Sequence, residues 1–485
     1  MKTDKKYYLL FIVVIAILIR IFFYVGHIFS DDAYYSYLSY TLLKGDYAKD
    51  YLGYPIFPLR ITYLLVIAFT YKIFGINEFS TIIFPFLLSI ANLILTYKIV
   101  KLFIGNESTA ILAVLLTAFF PTDIIFASIS FVDLPNAFFI NLGIYFLYKS
   151  YKSGKYSQAL IGGFFFFVSM QIKENIYYIA ISLLFLFIYL LIRNSKINLQ
   201  ILIGLVFILL NTVVEGFIYL YLHNDFFYRL TVLRKNYMYS FYDFFPYTAQ
   251  KFSGSKNYWK NLFVQVFIIN LKSILLRRFY LFIPFLAVIK SYFNLKKKEY
   301  VLLSYWFLST FILLVAFTTS FTEYKPLDLQ RSWYIYPLLM PTIILTALFI
   351  NNFKKFIQYS LITLYIAGGI IMCAHYEDYF NKTSNDELKS FLSTHPEETI
   401  YTDHFTKYSV DLLRNYANPD ISRRIAGSDF NWSVIKKGDW ILYNRKHIDE
   451  LELQKYKFLD FSILKSDLFT KVKSFGDFIM YEKTK

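Results

Sequence analysis

The 485-residue chain carries a formal net charge of +16, with 57% hydrophobic and 21% aromatic residues. It is more apolar and less charged than an average globular domain, which excludes an ordinary soluble protein. Its basic residues are dispersed among short loops beside apolar runs, and this pattern argues against a nucleic-acid partner. The composition therefore predicts a polytopic α-helical membrane protein surrounded by lipid.

Long apolar runs recur along most of the chain. The first extends from about Tyr7 to Phe29; it lacks a small-residue cleavage site after its core and is expected to remain as a helix. Further runs approach or reach spanning length: Thr81 to Leu95, Tyr178 to Ile192, Leu199 to Leu222, Val301 to Phe317 and Trp333 to Ile350.

Lysine and arginine clusters occupy alternate short loops, which the positive-inside rule assigns to the cytoplasm. This alternation makes the stretch Ile56 to Phe74 an interfacial outer helix and leaves about eleven crossings. We therefore expect an integral protein of the cell membrane with a cytoplasmic N-terminus and an extracytoplasmic C-terminus.

An acid pair, Asp31 and Asp32, follows the first apolar run directly. With Ser30 or Asp31 as its N-cap, a helix would begin here and end near Gly45. One aspartate is explained by capping, but the second is not. The pair is therefore expected to supply a carboxylate at the outer membrane surface, where partial desolvation and a neighbouring acid raise its basicity. The alternative is an aspartate that only caps an interfacial helix.

A further acid, Asp133, lies between two later apolar runs and shortly before Pro135. Its position also suits a helix N-cap, with proline near the first helical residue. The expected topology places it on the same side as the acid pair, so three acids would face one outer cavity. Three carboxylates can hold a hard divalent cation, although the pattern requires no metal. Neither the single cysteine, Cys373, nor the scattered histidines indicate a metal site.

A phosphorylated substrate would need cations beside these acids. Lys325 and Arg331 precede a late apolar run, with Tyr334 just inside it. An arginine fork matches phosphate oxygens and a tyrosine hydroxyl adds a donor. The alternative is a snorkelling arginine within an aromatic belt. Between two other apolar runs, Lys173 and Glu174 suggest an ion pair that is buried or at the boundary.

The long apolar runs stop near residue 376, and the remaining sequence is charged and mixed. We expect residues 1–375 to form the transmembrane part, with the acid pair in an outer loop at 26–79, and residues 376–485 to form a small outer-facing α/β domain. The elements expected in this domain are three strands, Thr399 to Thr402, Trp440 to Tyr443 and Phe478 to Glu482, and one helix, Thr406 to Tyr416.

The order of these features resembles the GT-C membrane glycosyltransferases, and most of all the protein mannosyltransferase and aminoarabinose transferase superfamily, which is glycosyltransferase family 39-like. Four segments and one residue carry the resemblance: Asp31-Asp32-Ala33-Tyr34-Tyr35, Tyr54-Pro55-Ile56-Phe57-Pro58-Leu59, Phe74-Gly75, Arg331 to Pro337, and Asp133, which matches an acid of the second outer loop. There are two departures. No lysine or histidine lies beside the prolines between Tyr54 and Pro58, and Asp32 replaces a common glutamate.

The resemblance implies inverting transfer of a single sugar, a hexose or a pentose, from a polyprenyl-phosphate donor. The acceptor is a glycan, lipid or protein on the outer membrane face, and no cofactor is required. Asp31 would be the general base, with Asp32 and Asp133 positioning it or the acceptor. The side chains expected at the lipid phosphate are Arg331, Tyr334, Lys325 and Lys173.

Three other functions fit parts of the sequence. A flippase or transporter for lipid-linked glycans would also need outer charged groups, but such proteins tend to show inverted halves, and the sequence shows none. A non-catalytic scaffold would use the outer domain to bind a partner. A ligase or polymerase of surface polysaccharide would use a diphosphate-linked donor, and the basic residues Arg229, Arg234 and Lys235 suit that function.

Overall fold

The computed structural model describes residues 5–46, 56–194, 198–233, 278–316, 332–417, 422–424, 431–445 and 461–485. The helices of its larger part are α1 (Lys5–Phe22), α2 (Asp31–Leu43), α3 (Ile61–Phe74), α4 (Glu78–Phe103), α5 (Glu107–Ala118), α6 (Pro121–Phe126), α7 (Asp133–Ser153), α8 (Tyr156–Met170), α9 (Ile176–Asn194), α10 (Leu199–His223), α11 (Phe282–Tyr292), α12 (Lys298–Ala316), α13 (Tyr336–Asn351) and α14 (Lys355–Tyr379).

The described helices include three that are long and apolar enough to cross a membrane, namely α4, α10 and α14. Shorter apolar helices of 10–17 residues pack beside them, among them α3, α5 and α8. The expected helical membrane fold is therefore confirmed, while the number of eleven crossings stays a prediction.

The packing of α1 against α4 and α6 includes a buried ion pair. Arg20 and Asp123 are fully buried, and Nη2 of Arg20 lies 2.6 Å from Oδ2 of Asp123. Ser89 Oγ donates to the same carboxylate oxygen at 2.5 Å and accepts from Arg20 Nε at 2.6 Å. Charged groups within an apolar bundle are stable only when they are paired. This network therefore fixes the three helices relative to one another.

Helices α7 and α8 form an antiparallel hairpin whose backbones are in contact. A Cβ atom on Gly162 would lie 2.9 Å from the carbonyl oxygen of Gly143, so a larger residue would push the helices apart. The hairpin turns at Gly154, which has a left-handed conformation. The far ends of the two helices therefore meet, and this brings Asp133 beside Lys173.

The C-terminal part is a small α/β unit. Its elements are α15 (Lys382–Thr394), α16 (His404–Leu413), β1 (Ile400–Thr402), β2 (Ser422–Arg424), β3 (Trp440–Asn444), β4 (Phe469–Phe475) and β5 (Phe478–Lys483). The strand order is β2-β1-β3-β5-β4. Strand β1 pairs in parallel with β2 and β3, whereas β5 is antiparallel to β3 and β4.

The three expected strands coincide with β1, β3 and β5. Helix α16 begins earlier than expected because Asp403 caps its first turn by accepting from the N–H of Thr406 at 3.1 Å. It also ends earlier, because Asn415 and Tyr416 have left-handed backbones, with φ of 54° and 50°. Helix α14 continues past residue 376 as far as Tyr379. The division of the chain at residue 376 stays a prediction.

The C-terminal unit packs directly on α2. Tyr37 stacks on Tyr408 with ring centroids 4.1 Å apart, and Tyr40 stacks on Tyr416 at 4.3 Å. Phe29, in the loop before α2, belongs to the hydrophobic core of the C-terminal unit. The loop and helix that carry the acid pair are therefore held from both sides, because α2 also packs on α3.

The buried network predicts a large loss of stability when its carboxylate is removed. Asp123→Ala leaves the Arg20 guanidinium buried without a counterion and is expected to cost about 3–5 kcal/mol. Ser89→Ala, the control, removes a neutral partner and is expected to cost about 1 kcal/mol. Fluorescence-detected thermal unfolding in one detergent compares the two variants, and equal shifts would argue against the ion pair as the dominant contact.

Candidate active site

The carboxylate of Asp32 closes the loop that precedes α2. It accepts hydrogen bonds from the N–H groups of Ile28 and Ser30, each at 2.7 Å, and His27 Nδ1 lies 2.6 Å from its Oδ2. Between these donors the backbone of Phe29 is left-handed, with φ of 58°. Burial raises the pKa of Asp32, but His27 and the two N–H groups lower it by more, so this pKa lies below its usual value. Asp32 therefore stabilises the loop.

Asp31 differs from its neighbour in every one of these respects. Within the described part of the chain, its partly exposed carboxylate has no hydrogen-bond or ion-pair partner. Burial raises its pKa above the usual value of 3.8, and Asp32 and Asp133 raise it further, against the lowering effect of Arg60 and Lys173. The result is an available carboxylate of increased basicity.

The capping alternative for the acid pair finds no support in these contacts. Ser30 is the N-cap residue of α2, and no side-chain hydrogen bond caps the helix. The helix continues to Leu43, and Gly45 follows with φ of 81°, as the sequence predicts.

Asp133 does not cap α7 but forms an ion pair with Lys173. Its Oδ1 lies 2.5 Å from Lys173 Nζ, and both side chains are buried. The same ammonium group lies 5.1 Å from the centre of the Tyr334 ring. Asn136, one turn along α7, donates to the Lys173 carbonyl oxygen at 2.9 Å and so fixes the lysine backbone. The ion pair expected between Lys173 and Glu174 is thus corrected, since Lys173 pairs with Asp133.

Arg60, the N-cap residue of α3, is a site residue that sequence reasoning missed. Its guanidinium carbon lies 5.5 Å from the ring centre of Tyr35 and 5.3 Å from that of Phe57. The side chain is buried, and its Nε has no hydrogen-bond partner within the described ranges. No described carboxylate lies within ion-pair distance of it. Against the raising effect of burial, Arg60 is the charge that most lowers the pKa of Asp31 and of Glu174.

A buried guanidinium without a bound anion is costly, so this arrangement suits an anionic ligand. The sequence signal for it was a lone arginine at the start of an otherwise apolar helix. Because such arginines usually lie at the membrane interface, this signal alone does not identify a ligand-binding residue.

Arg229 does not offer a free cation. Its Nε lies 2.9 Å from Glu215 Oε2, and its Nη2 lies 2.5 Å from Oε1 of the same carboxylate. Nη2 also donates to the carbonyl oxygen of Leu59 at 3.2 Å, which ties α10 to the start of α3. The support that Arg229 gave to a diphosphate-linked donor is therefore lost. Arg234 and Lys235 lie outside the described residues.

Hydrogen bonds join the loops that carry the acids. The N–H of Val25 donates to Ser128 Oγ at 2.9 Å, and Tyr63 Oη lies 2.9 Å from Ser130 Oγ. The loops before α2 and α7 are therefore fixed to each other and to α3, while the side of the membrane on which they lie stays a prediction. Of the predicted phosphate ligands, Lys325 and Arg331 lie outside the described residues.

The three acids do not form one cluster of metal ligands among the described residues. In the described ranges, no three His, Cys, Asp or Glu side chains are placed to hold a metal ion. The oxygens of Asp32 already face three donors, and Asp133 is paired with Lys173. The expected cluster of three acids therefore leaves only Asp31 open.

Comparison with known proteins agrees with this fold. A family model described as dolichyl-phosphate-mannose-protein mannosyltransferase matches residues 58–215, which include Arg60, Asp133 and Lys173 but not the acid pair. The structure of ArnT from Cupriavidus metallidurans bound to undecaprenyl phosphate is similar, with a TM-score of 0.58, 11% identity and 97% of each chain covered. The Archaeoglobus fulgidus oligosaccharyltransferase, in complex with Zn and sulfate, has a TM-score of 0.58 at 12% identity, covering 98% of this chain and 73% of that one.

A sequence relative adds a short match. An uncharacterized protein of Aquifex aeolicus (strain VF5) is 31% identical over 90 residues, which are 19% of this chain and 18% of the relative. The chain thus matches about a fifth of that protein's length. The family model and the shared fold together confirm the resemblance to the GT-C membrane glycosyltransferase superfamily.

The buried pair of Asp133 and Lys173 predicts strong energetic coupling. Asp133→Asn and Lys173→Met are each expected to cost about 3–5 kcal/mol, since each leaves one buried charge alone, whereas the double variant should cost much less than their sum. The partly exposed surface pair of Lys382 and Asp386, at 2.7 Å, is the control and should couple by under about 1 kcal/mol. A thermal-unfolding double-mutant cycle measures both pairs, and additive effects at the buried pair would contradict its assignment.

Proposed function

We propose that this protein is a glycosyltransferase that moves a single sugar from a polyprenyl-phosphate-linked donor to an acceptor hydroxyl on the outer face of the membrane. The observation that carries the proposal is the contrast within the acid pair, since Asp32 is fully engaged while Asp31 is open and basic. Arg60, which is buried and has no ion-pair partner among the described residues, acts electrostatically on the same carboxylate. The shared fold with ArnT, whose structure contains undecaprenyl phosphate, supports a lipid-linked donor.

In the proposed reaction, Asp31 removes the proton from the acceptor hydroxyl as the hydroxyl oxygen attacks the anomeric carbon of the donor sugar. The bond from that carbon to the phosphate oxygen breaks, and polyprenyl phosphate leaves with the electron pair. A single displacement inverts the anomeric centre. The raised pKa of Asp31 makes it a stronger base than an ordinary aspartate.

The leaving phosphate would be bound by Arg60, whose planar fork can donate to two phosphate oxygens. Tyr334, beside the Lys173 ammonium, would add a hydroxyl donor. The charge of Lys173 is already balanced by Asp133, so Lys173 would orient the phosphate more than neutralise it. Lys325 and Arg331 are expected to complete the phosphate site.

The acceptor would be a glycan, a lipid or a protein, and the sugar a hexose or a pentose. The Archaeoglobus fulgidus oligosaccharyltransferase has been solved tethered to an acceptor peptide, which keeps a peptide among the candidates. The catalytic face and the C-terminal unit would be extracytoplasmic, in a cell-membrane protein with a cytoplasmic N-terminus. A flippase has no need of an open base, so the state of Asp31 favours transfer over transport.

The proposed role of Asp31 as general base predicts that Asp31→Asn loses turnover. The purified chain is added to membrane vesicles from cells that lack it, which supply the native acceptor, together with a panel of polyprenyl-phosphate hexoses and pentoses, and released polyprenyl phosphate is quantified by mass spectrometry. Loss of the base should slow release by about 10²–10⁴-fold. Asp467→Asn changes an exposed carboxylate of the C-terminal unit and should leave the rate unchanged. Wild-type rates in Asp31→Asn would overturn the proposed role.

The effect of Arg60 on the pKa of Asp31 predicts in which direction the pH profile of kcat/KM moves when Arg60 is replaced. The base works only when deprotonated, so kcat/KM falls as the pH drops through the pKa of Asp31. Because Arg60 lowers that pKa, Arg60→Gln should move the acid limb of the profile to higher pH.

The same substitution should raise KM for the lipid donor by about 10-fold or more through a lost charged hydrogen bond. Lys72→Gln, at an exposed position on the same helix, is the control. An unchanged acid limb together with an unchanged KM would remove Arg60 from the site.

A further inference from the structure

The proposed reaction leaves His27, a buried titratable side chain beside the acid pair, without a role. Its imidazole is 2% exposed, and Nδ1 lies 2.6 Å from Oδ2 of Asp32. The other ring nitrogen, Nε2, has no hydrogen-bond partner in the described part of the chain. The ring packs on Phe29, with centroids 5.3 Å apart. The polar contact of this imidazole is therefore directed at Asp32.

The backbone of His27 is itself fixed from several sides. Its N–H donates to Glu78 Oε1 at 2.9 Å, and the same oxygen accepts from Tyr24 Oη at 2.8 Å and from Lys389 Nζ at 3.1 Å. Gly26 has a left-handed backbone, and a Cβ atom on it would collide with the Glu78 carboxylate, so this position favours glycine. The start of α4 and the C-terminal unit thus hold His27 in place, and its Nδ1–H is a preoriented donor.

The Nδ1–H donor of His27 affects the position of Asp31 through the carboxylate of Asp32. Asp32 holds the N–H groups of Ile28 and Ser30 as well as His27, so its oxygens fix every turn of the loop. Without a donor at Nδ1, a buried carboxylate oxygen loses a partner, which favours rearrangement of the loop. Asp31 directly follows Ser30 as the first residue of α2, so a rearranged loop displaces it. A base displaced by about 1 Å can lose on the order of 10²-fold in rate.

We infer that His27 is a positioning residue of the transfer reaction, which acts through Asp32 to fix the loop at residues 27–32 and hence the base Asp31. The inference rests on the proposed function for its effect on catalysis. Since the donor phosphate is assigned to Arg60 on α3, a displaced Asp31 lowers kcat and leaves KM for the lipid donor nearly unchanged.

Two substitutions separate the Nδ1 donor from the rest of the ring. His27→Asn retains an N–H group close to the position of Nδ1 but has no counterpart of Nε2, whereas His27→Leu fills similar volume without any donor. We expect kcat to fall about 10²-fold in His27→Leu and to recover to within about 10-fold of wild type in His27→Asn. If the leucine variant is not monodisperse in detergent, His27→Ala removes the donor without branched volume.

Amide hydrogen exchange of the peptide spanning residues 27–32 gives a readout that does not depend on activity. The Ile28 and Ser30 amides should exchange about 10-fold faster in His27→Leu and near the wild-type rate in His27→Asn. Wild-type kcat and exchange in His27→Leu would overturn the inference, and so would equal impairment of both variants. If Asp31→Asn retains full activity in the same assay, the proposed base fails, and the exchange data alone then decide whether His27 fixes the loop.

Discussion

A buried carboxylate needs partners, and Asp32 takes all of its partners from the loop that leads into α2. That single constraint shapes the site, because it engages Asp32 in hydrogen bonds to the loop and leaves Asp31 available. Elsewhere in the described bundle the buried charges are matched, as in the pairs of Arg20 with Asp123, of Lys173 with Asp133 and of Arg229 with Glu215. Asp31 and Arg60 have no ion-pair partner among the described residues, and they act electrostatically on each other. Unmatched charges kept at one place are costly to folding, which is why we read them as the functional centre.

The rest of the structure brings these groups together. The contact of α7 with α8 at Gly143 and Gly162 places Asp133 beside Lys173, and the bond between Arg229 and Leu59 secures the start of α3. The C-terminal unit contributes through Phe29, which lies within its core. The C-terminal unit therefore supports the acid pair mechanically, through the same loop that Asp32 closes.

Much of this arrangement could be predicted from the sequence. The alternating basic loops grouped Asp133, Lys173 and Tyr334, and the structure brings these three together, while their side of the membrane stays a prediction. Strand patterns located β1, β3 and β5. The different states of Asp31 and Asp32 could not be predicted, since they depend on donors positioned by a left-handed turn at Phe29. The partner of Lys173 was also missed, because it lies 40 residues away on a separate helix. Arg60 was passed over because an arginine flanking an apolar helix is usually interfacial.

The measurement that tests the central claim most directly is mass spectrometry of the surface glycoconjugates of native cells. Cells that carry the wild-type chain are compared with cells that carry Asp31→Asn at equal, correctly inserted protein level. We expect one glycoconjugate to lose a single hexose-sized or pentose-sized unit, which would also identify the acceptor. An identical set of glycoconjugates in the two strains would contradict the account, since sugar transfer would then not depend on Asp31 as the base.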